Sequence, residues 1–266
     1  MLGALFADSS CLMPPPTNQF KHDNIPLQTQ GCEINVLCVR NPRARRIKLS
    51  VDERGVRLIL PPCADLDAGT RFLLEQRAWI ETQMARYASG TAATIPLRRG
   101  ETTALPLRDQ QLPLHWHESR YTRLELDAHG LQFYITTHTN DNTLRHTLRE
   151  FYEVQARVDI RDWLRKYLPG LPRPPTRVRL KPMSSQWGSL ATAGHMALDL
   201  ALVLGRPSAF EYVVVHELCH LIQANHSPAF WREVECRFPL WREERDYFHL
   251  KGRILKAQLR RLLQTE

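Results

Sequence analysis

The chain has 266 residues, of which 43% are hydrophobic and 24% charged, with a net charge of +8; this composition is typical of a globular protein. No apolar run reaches the roughly 18 to 20 residues that cross a bilayer, and the N-terminal apolar run lacks a basic flank, so a cytoplasmic protein without membrane contact is expected. The six cysteines form no C-x-x-C pair, which argues against a disulfide framework and a zinc ribbon.

For the N-terminal half of the chain, the sequence predicts a leader followed by a β-rich module. Residues 1–30 are turn-rich and predict a disordered or loosely attached leader, with folding beginning near Cys32. Residues 31–140 predict a β-rich N-terminal module with one helix. In it, 33–60 alternates like paired strands with a turn at 52–55, and 68–87 has helical spacing. Short strands are expected over 91–139, separated by glycines and prolines.

A second domain is predicted over residues 141–266. Its longest helical pattern spans 143–168 and is stopped by Pro169. Strands are expected at 176–181 and near 195–203. A buried helix follows over 210–222, because this run is apolar on nearly every side, and Ser208-x-x-Glu211 reads as a capping box at its start. The long helix is expected to pack behind the buried one.

The strongest chemical signal is His216-Glu217-Leu218-Cys219-His220, which lies in the buried helix. Residues four apart share one helix face, so His216 and His220 can direct two imidazole nitrogens at one zinc ion. Beside them, the Glu217 carboxylate can take a proton from an activated water and deliver it to a leaving group. Buried polar groups are costly unless they are paired or bind a metal, so the pattern predicts a catalytic zinc site.

The third ligand is expected to be His226. On an unbroken helix it would point away from the metal, so the chain must turn first. Ser227 and Pro228 predict the N-cap and first turn of a new helix, which leaves His226 at the corner. The rival ligands are Glu233 and Glu235 on that helix. The spacing is also that of the metzincins, but no methionine follows the third histidine to form their methionine turn.

The segment Tyr212–Trp231, YVVVHELCHLIQANHSPAFW, closely resembles the signature of the YgjP-like zinc metallopeptidases, distant relatives of the SprT-like proteases. The segment 186–189 resembles the R-W-G-S-C element of that family, and 194–200 resembles its G-x-I-x-L-N strand. The likeness spans about residues 34–252 and implies three histidine ligands and a catalytic glutamate. Three positions depart from the pattern, where Gln186, Leu190 and Asp199 replace arginine, cysteine and asparagine.

Together these patterns predict an α+β protein, in which a β-rich N-terminal module precedes a zincin-like metallopeptidase domain with an H-E-x-x-H active-site helix. One Zn²⁺ per chain is expected on His216, His220 and His226, with water in the fourth position. Glu217 is expected to act as general base and then acid in peptide-bond hydrolysis. The expected substrate is a protein or peptide that adds to a strand edge beside the metal through backbone hydrogen bonds.

Two other functions fit the same residues. The first is a nucleic-acid-associated binding module that uses zinc only for folding, because basic residues cluster at 40–48 and 253–261. A weaker version of this hypothesis keeps the peptidase activity. The peptidase then associates weakly with nucleic acid and is recruited to DNA-bound proteins, as some SprT-like proteases are. The second is a non-peptidase amide hydrolase such as a deformylase, with Cys32, Cys38 or Cys63 as its third zinc ligand.

Five further residues each have two interpretations. His115 and His117 share a strand face and would suit a second metal site, although surface histidines are favoured. Cys219 is a competing zinc ligand or, preferably, a small packing residue. Tyr212 is an oxyanion donor or, preferably, a hydrogen-bonded core tyrosine. Gly188 either admits another backbone at a turn that shapes the cleft or, with equal weight, belongs to a turn whose tryptophan only seals the core.

Overall fold

The structure is a computed structural model that describes residues 22–29, 31, 33–52, 55–91, 96–183 and 186–263. The chain forms two compact units, residues 1–84 and 85–266. Residues 1–21, most of the predicted leader, lie outside the described ranges. The predicted domain limits at 30 and 140 stay a prediction.

The described residues of the first unit form a four-stranded sheet and two helices, the second of which continues past the division. Its elements are β1 (His22–Gln28), β2 (Glu33–Arg40), β3 (Lys48–Asp52), β4 (Gly55–Leu60), α1 (Leu66–Glu75) and α2 (Arg77–Thr91). The strand order is β1-β2-β4-β3, with β2 and β4 parallel and the other two pairs antiparallel. The helix expected over 68–87 is therefore two helices, and the break falls at Gln76, the C-cap of α1.

Folding begins before Cys32, because β1 pairs with β2 along its whole length. Ile25 and Leu27 are both buried, and residues two apart in a strand face the same side. This alternation is too short to stand out within a turn-rich segment. The paired strands expected over 33–60 are confirmed, and Asp52 pairs with Gly55 at the predicted turn between β3 and β4.

Beyond the end of α2, the described residues of the second unit form two sheets, four α-helices and one 3₁₀ helix. Its elements are β5 (Ala104–Leu107), β6 (Gln110–Glu118), β7 (Arg123–Asp127), β8 (Gly130–Ile135), α3 (Asp141–Tyr167), β9 (Arg177–Lys181), β10 (Gly188–Leu190), β11 (His195–Asp199), a 3₁₀ helix (Leu200–Leu204), α4 (Pro207–Cys219), α5 (Pro228–Arg237) and α6 (Trp241–Leu263). One sheet has the order β5-β6-β8-β7 and the other the order β10-β11-β9. The short strands expected over 91–139 are confirmed, but Pro106 and Pro113, which were expected to separate strands, lie within β5 and β6.

The long helix packs on the buried helix as predicted. In α3, the Asn140 side chain accepts the Thr143 N–H at 2.9 Å, which caps the first turn. Its Trp163 ring contacts Phe210 of α4 edge to face, with centroids 5.0 Å apart. The sheet β5-β6-β8-β7 and the helices α3, α4 and α6 contribute to one buried apolar cluster. This cluster surrounds α4 and holds it in place.

Two local predictions in this unit are wrong. Ser208 and Glu211 form no capping box, since α4 begins at Pro207 without a side-chain cap. Glu211 instead accepts hydrogen bonds from Lys166 at 2.8 Å and Tyr167 at 2.7 Å, so tertiary contacts to a cation and a phenol replace the local one.

The strand expected near 195–203 is the second error. It ends at Asp199, whose carboxylate accepts the Ala201 N–H and starts the 3₁₀ helix.

No helix in the described part of the chain is long and apolar enough to span a membrane.

Candidate metal centre

The end of α4 presents two imidazoles on one face. The helix ends at Cys219 and His220 is its C-cap residue, because the His220 N–H bonds to carbonyls of the last turn. His216 lies one turn earlier, and the two ring centroids are 5.1 Å apart. The four-residue spacing read from the sequence therefore places both rings at the same helix terminus.

A corner between α4 and α5 brings His226 back to these rings. Ser227 caps α5 through its hydroxyl, which accepts the Phe230 N–H at 3.4 Å, and Pro228 occupies the first turn, as predicted. The His226 Nε2 atom lies 2.9 Å from the His216 Nε2 atom. One nitrogen from each of His216, His220 and His226 lies within 4.8 Å of the others.

The donor atoms of this cluster suit a divalent metal ion. The Nδ1 atom of His220 lies 3.0 Å from the carbonyl oxygen of Gln223, which can only accept, so Nδ1 carries the proton and Nε2 keeps its lone pair. Tetrahedral zinc with bonds of about 2.0–2.1 Å separates its ligand nitrogens by about 3.3 Å. The distances of 2.9 and 4.8 Å fall on either side of that separation.

Burial favours the neutral form of two of the imidazoles, those of His216 and His220. Desolvation lowers the pKa of His216 to about 3, and the nearby His220 and His226 contribute to this lowering. Burial also lowers the pKa of His220. The neutral ring is the form that binds zinc, so burial favours the ligand form of these two residues. The Nδ1 atom of His216 is buried and has no hydrogen-bond partner among the residues described.

Glu217 places a buried carboxyl group beside the histidines. Only 5% of the residue is exposed, and this burial raises its pKa to about 8. Gly188 of β10 makes the room for it, because a Cβ atom added there would lie 2.5 Å from Oε1 of Glu217. The close approach predicted at Gly188 is therefore made by a side chain and not by another backbone.

The cluster lies in a cavity of ≈ 760 Å³. The strand β10 lines one side and pairs only with β11, so its other edge is unpaired within the described sheet. The lining also includes Arg245 and His249 of α6. Two departures from the family pattern, Gln186 and Leu190, also line this cavity. The cavity is therefore lined both by β10 and by the three imidazoles.

The rival zinc ligands are engaged elsewhere. Glu233 pairs with Arg237, and Glu235 pairs with Arg242. Cys219 is fully buried, and desolvation raises the pKa of its thiol to about 12, in agreement with a packing role. Within the described residues, the group that could hold a metal contains no cysteine.

The histidine pair on β6 does not form a second metal group. The His117 Nε2 atom lies 2.7 Å from the amide oxygen of Gln132, and in the described ranges no third ligand joins it or His115.

Tyr212 packs edge-on against His216, with centroids 5.9 Å apart, and lines the cavity. Its hydroxyl makes no hydrogen bond to a described residue, and burial raises its pKa to about 12.

The family model of the YgjP-like metallopeptidase domain matches residues 45–251, most of the chain. The protein belongs to the YgjP-like metallopeptidase family. Its matched range contains the three histidines and Glu217, and membership supports a peptidase role. A similar solved chain is described as the crystal structure of the metallopeptidase zymogen of Pyrococcus abyssi abylysin. The two are 30% identical over 38% of this chain and 93% of that one, with a TM-score of 0.30. No curated protein matches significantly.

One further side chain, which contacts the residues that lead into β10, was not predicted from the sequence. Lys256 of α6 lies outside the matched range and bonds to Asp199, the residue that stands where the family pattern has asparagine. The extra carboxylate at position 199 was the available signal, because a buried carboxylate needs a cationic partner. Its partner is 57 residues away in the chain and could not be read from spacing.

Proposed function

We propose that this YgjP-like protein is a zinc-dependent peptidase, in which His216, His220 and His226 hold one Zn²⁺ and Glu217 is the general base and acid. The observation that carries the proposal is the convergence of three imidazole nitrogens within 4.8 Å in one cavity, beside a buried carboxyl group. The donor set also favours it, because three neutral imidazoles leave a tetrahedral ion one open position, as in catalytic zinc sites.

In this proposal the side chains of the cavity divide the proton transfers. Bound zinc supplies Lewis-acid chemistry, which polarises the scissile carbonyl and acidifies water. Glu217 receives the proton of the attacking water and delivers it to the departing amine. Burial disfavours its ionised form in isolation, whereas a nearby dication favours that form. Tyr212, which burial keeps protonated, is available to donate its hydroxyl to the developing oxyanion.

The substrate in this proposal is an extended peptide or protein segment. The free edge of β10 offers backbone N–H and C=O groups to such a segment, which would add as a further strand. The same strand carries Gly188 against Glu217, so a chain paired with β10 would pass beside the general base. This arrangement favours a peptide over a small amide substrate.

The proposal is tested by metal analysis and a proteome-wide cleavage screen on the wild type and three variants. The wild type is expected to bind one zinc and to cleave peptides. Glu217→Gln should keep the zinc and lose about 10²–10⁴-fold in kcat, because the proton acceptor is gone while the ligands remain. His220→Ala should lose both. Glu235→Gln is the matched control, since it removes a carboxylate of the next helix that is paired with Arg242.

The rival functions give different results in the same assays. Turnover at the wild-type rate in Glu217→Gln would defeat the proposal. Zinc that survives His226→Ala but is lost on mutation of Cys32, Cys38 or Cys63 would support the amide hydrolase. Steep salt dependence of DNA binding, without cleavage of any protein, would support the zinc-stabilised binding module.

A further inference from the structure

A single buried lysine joins α6 to the backbone on both sides of residues 184–185. Lys256 is 9% exposed, and its ammonium donates three hydrogen bonds. The acceptors are the carbonyl of Met183 at 2.9 Å, the carbonyl of Gln186 at 2.7 Å and the carboxylate of Asp199 at 2.6 Å. Because an ammonium has three N–H donors, every one of them is used.

Asp199 links the end of β11 to the residues that precede β10. Its carboxylate also accepts the N–H groups of Met183 at 3.3 Å and Ala201 at 3.0 Å. Its own backbone N–H donates to the carbonyl of Trp187 at 2.8 Å. The ion pair therefore connects the segment that enters β10 with the end of β11. Only 1% of Asp199 is exposed, so the pair is shielded from water.

The same face of α6 also holds the Trp187 ring. Phe248, Gly252 and Lys256 follow each other at four-residue intervals and so share one helix face. The Trp187 ring lies 4.6 Å from the Phe248 ring and 4.4 Å from the Lys256 ammonium, measured from the Trp187 centroid. Gly252 admits it, because an added Cβ would lie 2.7 Å from Cζ2 of Trp187.

The segment held in this way forms the wall of the cavity next to the general base. We define the cleft wall as residues 186–190, from Gln186 through β10. Its Gly188 stands against the Glu217 side chain so closely that a methyl group does not fit between them. A displacement of this wall would therefore change both the space around the Glu217 carboxylate and the free edge offered to substrate.

We infer that Lys256 is a positioning residue, whose ammonium holds the cleft wall in register with Glu217; this role rests on the proposed peptidase function. Buried ion pairs can often be replaced by apolar residues without loss of stability, because desolvation of the two charges offsets their attraction. Stability alone therefore does not explain this pair. The three directed hydrogen bonds explain the pair, because they set the position of the backbone at the start of the cleft wall.

The test is the double variant Asp199→Asn, Lys256→Met, which removes both charges together and leaves none buried alone. It should fold and bind zinc as the wild type does. We expect kcat to fall at least tenfold with a smaller change in KM, because Glu217 is less well placed. Backbone amides of residues 186–190 should exchange hydrogen at least tenfold faster. A role in stability alone would lower Tm without moving either quantity in the folded protein.

The matched control is Arg108→Met, Asp159→Asn, which removes another ion pair of the same unit by the same kind of substitution. Its partners lie 2.8 Å apart and do not line the metal cavity. It should leave kcat and the exchange of 186–190 unchanged. Wild-type kcat and exchange in the folded test variant would overturn the inference. Failure of the Asp199→Asn, Lys256→Met variant to fold would also overturn the inference, because the ion pair would then stabilise the core as a whole. If the wild type cleaves no peptide, the proposed function fails, while the exchange measurement still decides on Lys256.

Discussion

Gly188 and Glu217 depend on each other at the scale of single residues. The glycine has no side chain at the point where the Glu217 carboxyl group is closest, 2.5 Å from where a Cβ would lie. Such a distance is too short for two unbonded heavy atoms, so any larger residue at position 188 must displace the carboxyl group. The glycine is therefore explained by the space that a neighbouring side chain needs.

Gly188→Ala should reduce kcat at least tenfold while zinc content stays at one per chain, because Glu217 moves and the three histidines do not. Peptide turnover and metal analysis on the same preparation measure both. The control is Gly31→Ala, where an added Cβ meets nothing within 4 Å. Unchanged turnover in Gly188→Ala would show that the carboxyl position is not critical.

The charges that line the metal cavity predict its preference among peptides. Arg173, Arg245 and His249 line it, and Glu217 is the one carboxyl residue in that lining. Arg245 is exposed and forms no ion pair with any residue in the described ranges; its guanidinium lies 5.7 Å from the Trp241 ring centroid. A carboxylate on the substrate is the partner that this surface can bind.

We expect peptides with Asp or Glu near the scissile bond to be cleaved with higher kcat/KM than their Lys or Arg counterparts. Arg245→Glu should shift the ratio of the two kcat/KM values about tenfold in favour of the Lys and Arg peptides, which corresponds to about 1.4 kcal/mol. A charge-matched peptide library measures it. Arg242→Glu on the same helix is the control, because Arg242 pairs with Glu235. An equal shift in both variants would point to overall charge instead.

At the scale of elements, the cap of α5 places His226, the proposed third ligand. Ser227 both follows His226 directly and closes the first turn of α5. The hydroxyl therefore determines where the helix begins, and with it the direction in which the histidine leaves the corner. The residue that starts α5 is therefore the direct neighbour of the proposed metal ligand.

Ser227→Ala should cost about 1 kcal/mol of unfolding free energy, as loss of an N-cap usually does, and should also weaken zinc binding. Asn140→Ala removes the cap of α3, a helix without a ligand, and should cost a similar amount with no effect on zinc. Denaturant unfolding and a competitive zinc titration separate the two effects. Equal zinc affinity in both variants would contradict the coupling.

At the scale of the whole molecule, zinc should stabilise the second unit, which contains all three histidines. A ligand present at a thousand times its Kd adds about 4 kcal/mol to the folded state. For a unit of this size we expect Tm to rise by about 8–16 °C when zinc is added to chelator-treated protein. Mg²⁺ should have little effect, because it prefers oxygen ligands. A zinc-induced rise that persists in His220→Ala would contradict the assignment.

The sequence by itself determined the features that depend on spacing along one element. The pair His216 and His220, the cap at Ser227 and the long helix α3 were all predicted, because each arises from contacts within a few residues. For the same reason His226 was expected at a corner, since an unbroken helix would carry it away from the other two rings.

Only the tertiary structure decided which distant residues meet. Glu211 looked like part of a cap, but Lys166 and Tyr167 of another helix bind its carboxylate. The partner of Asp199 proved to be Lys256, on a helix that no local pattern connects with β11. Such contacts depend on how whole elements pack, and packing is a property of the assembled core that spacing along one segment does not contain.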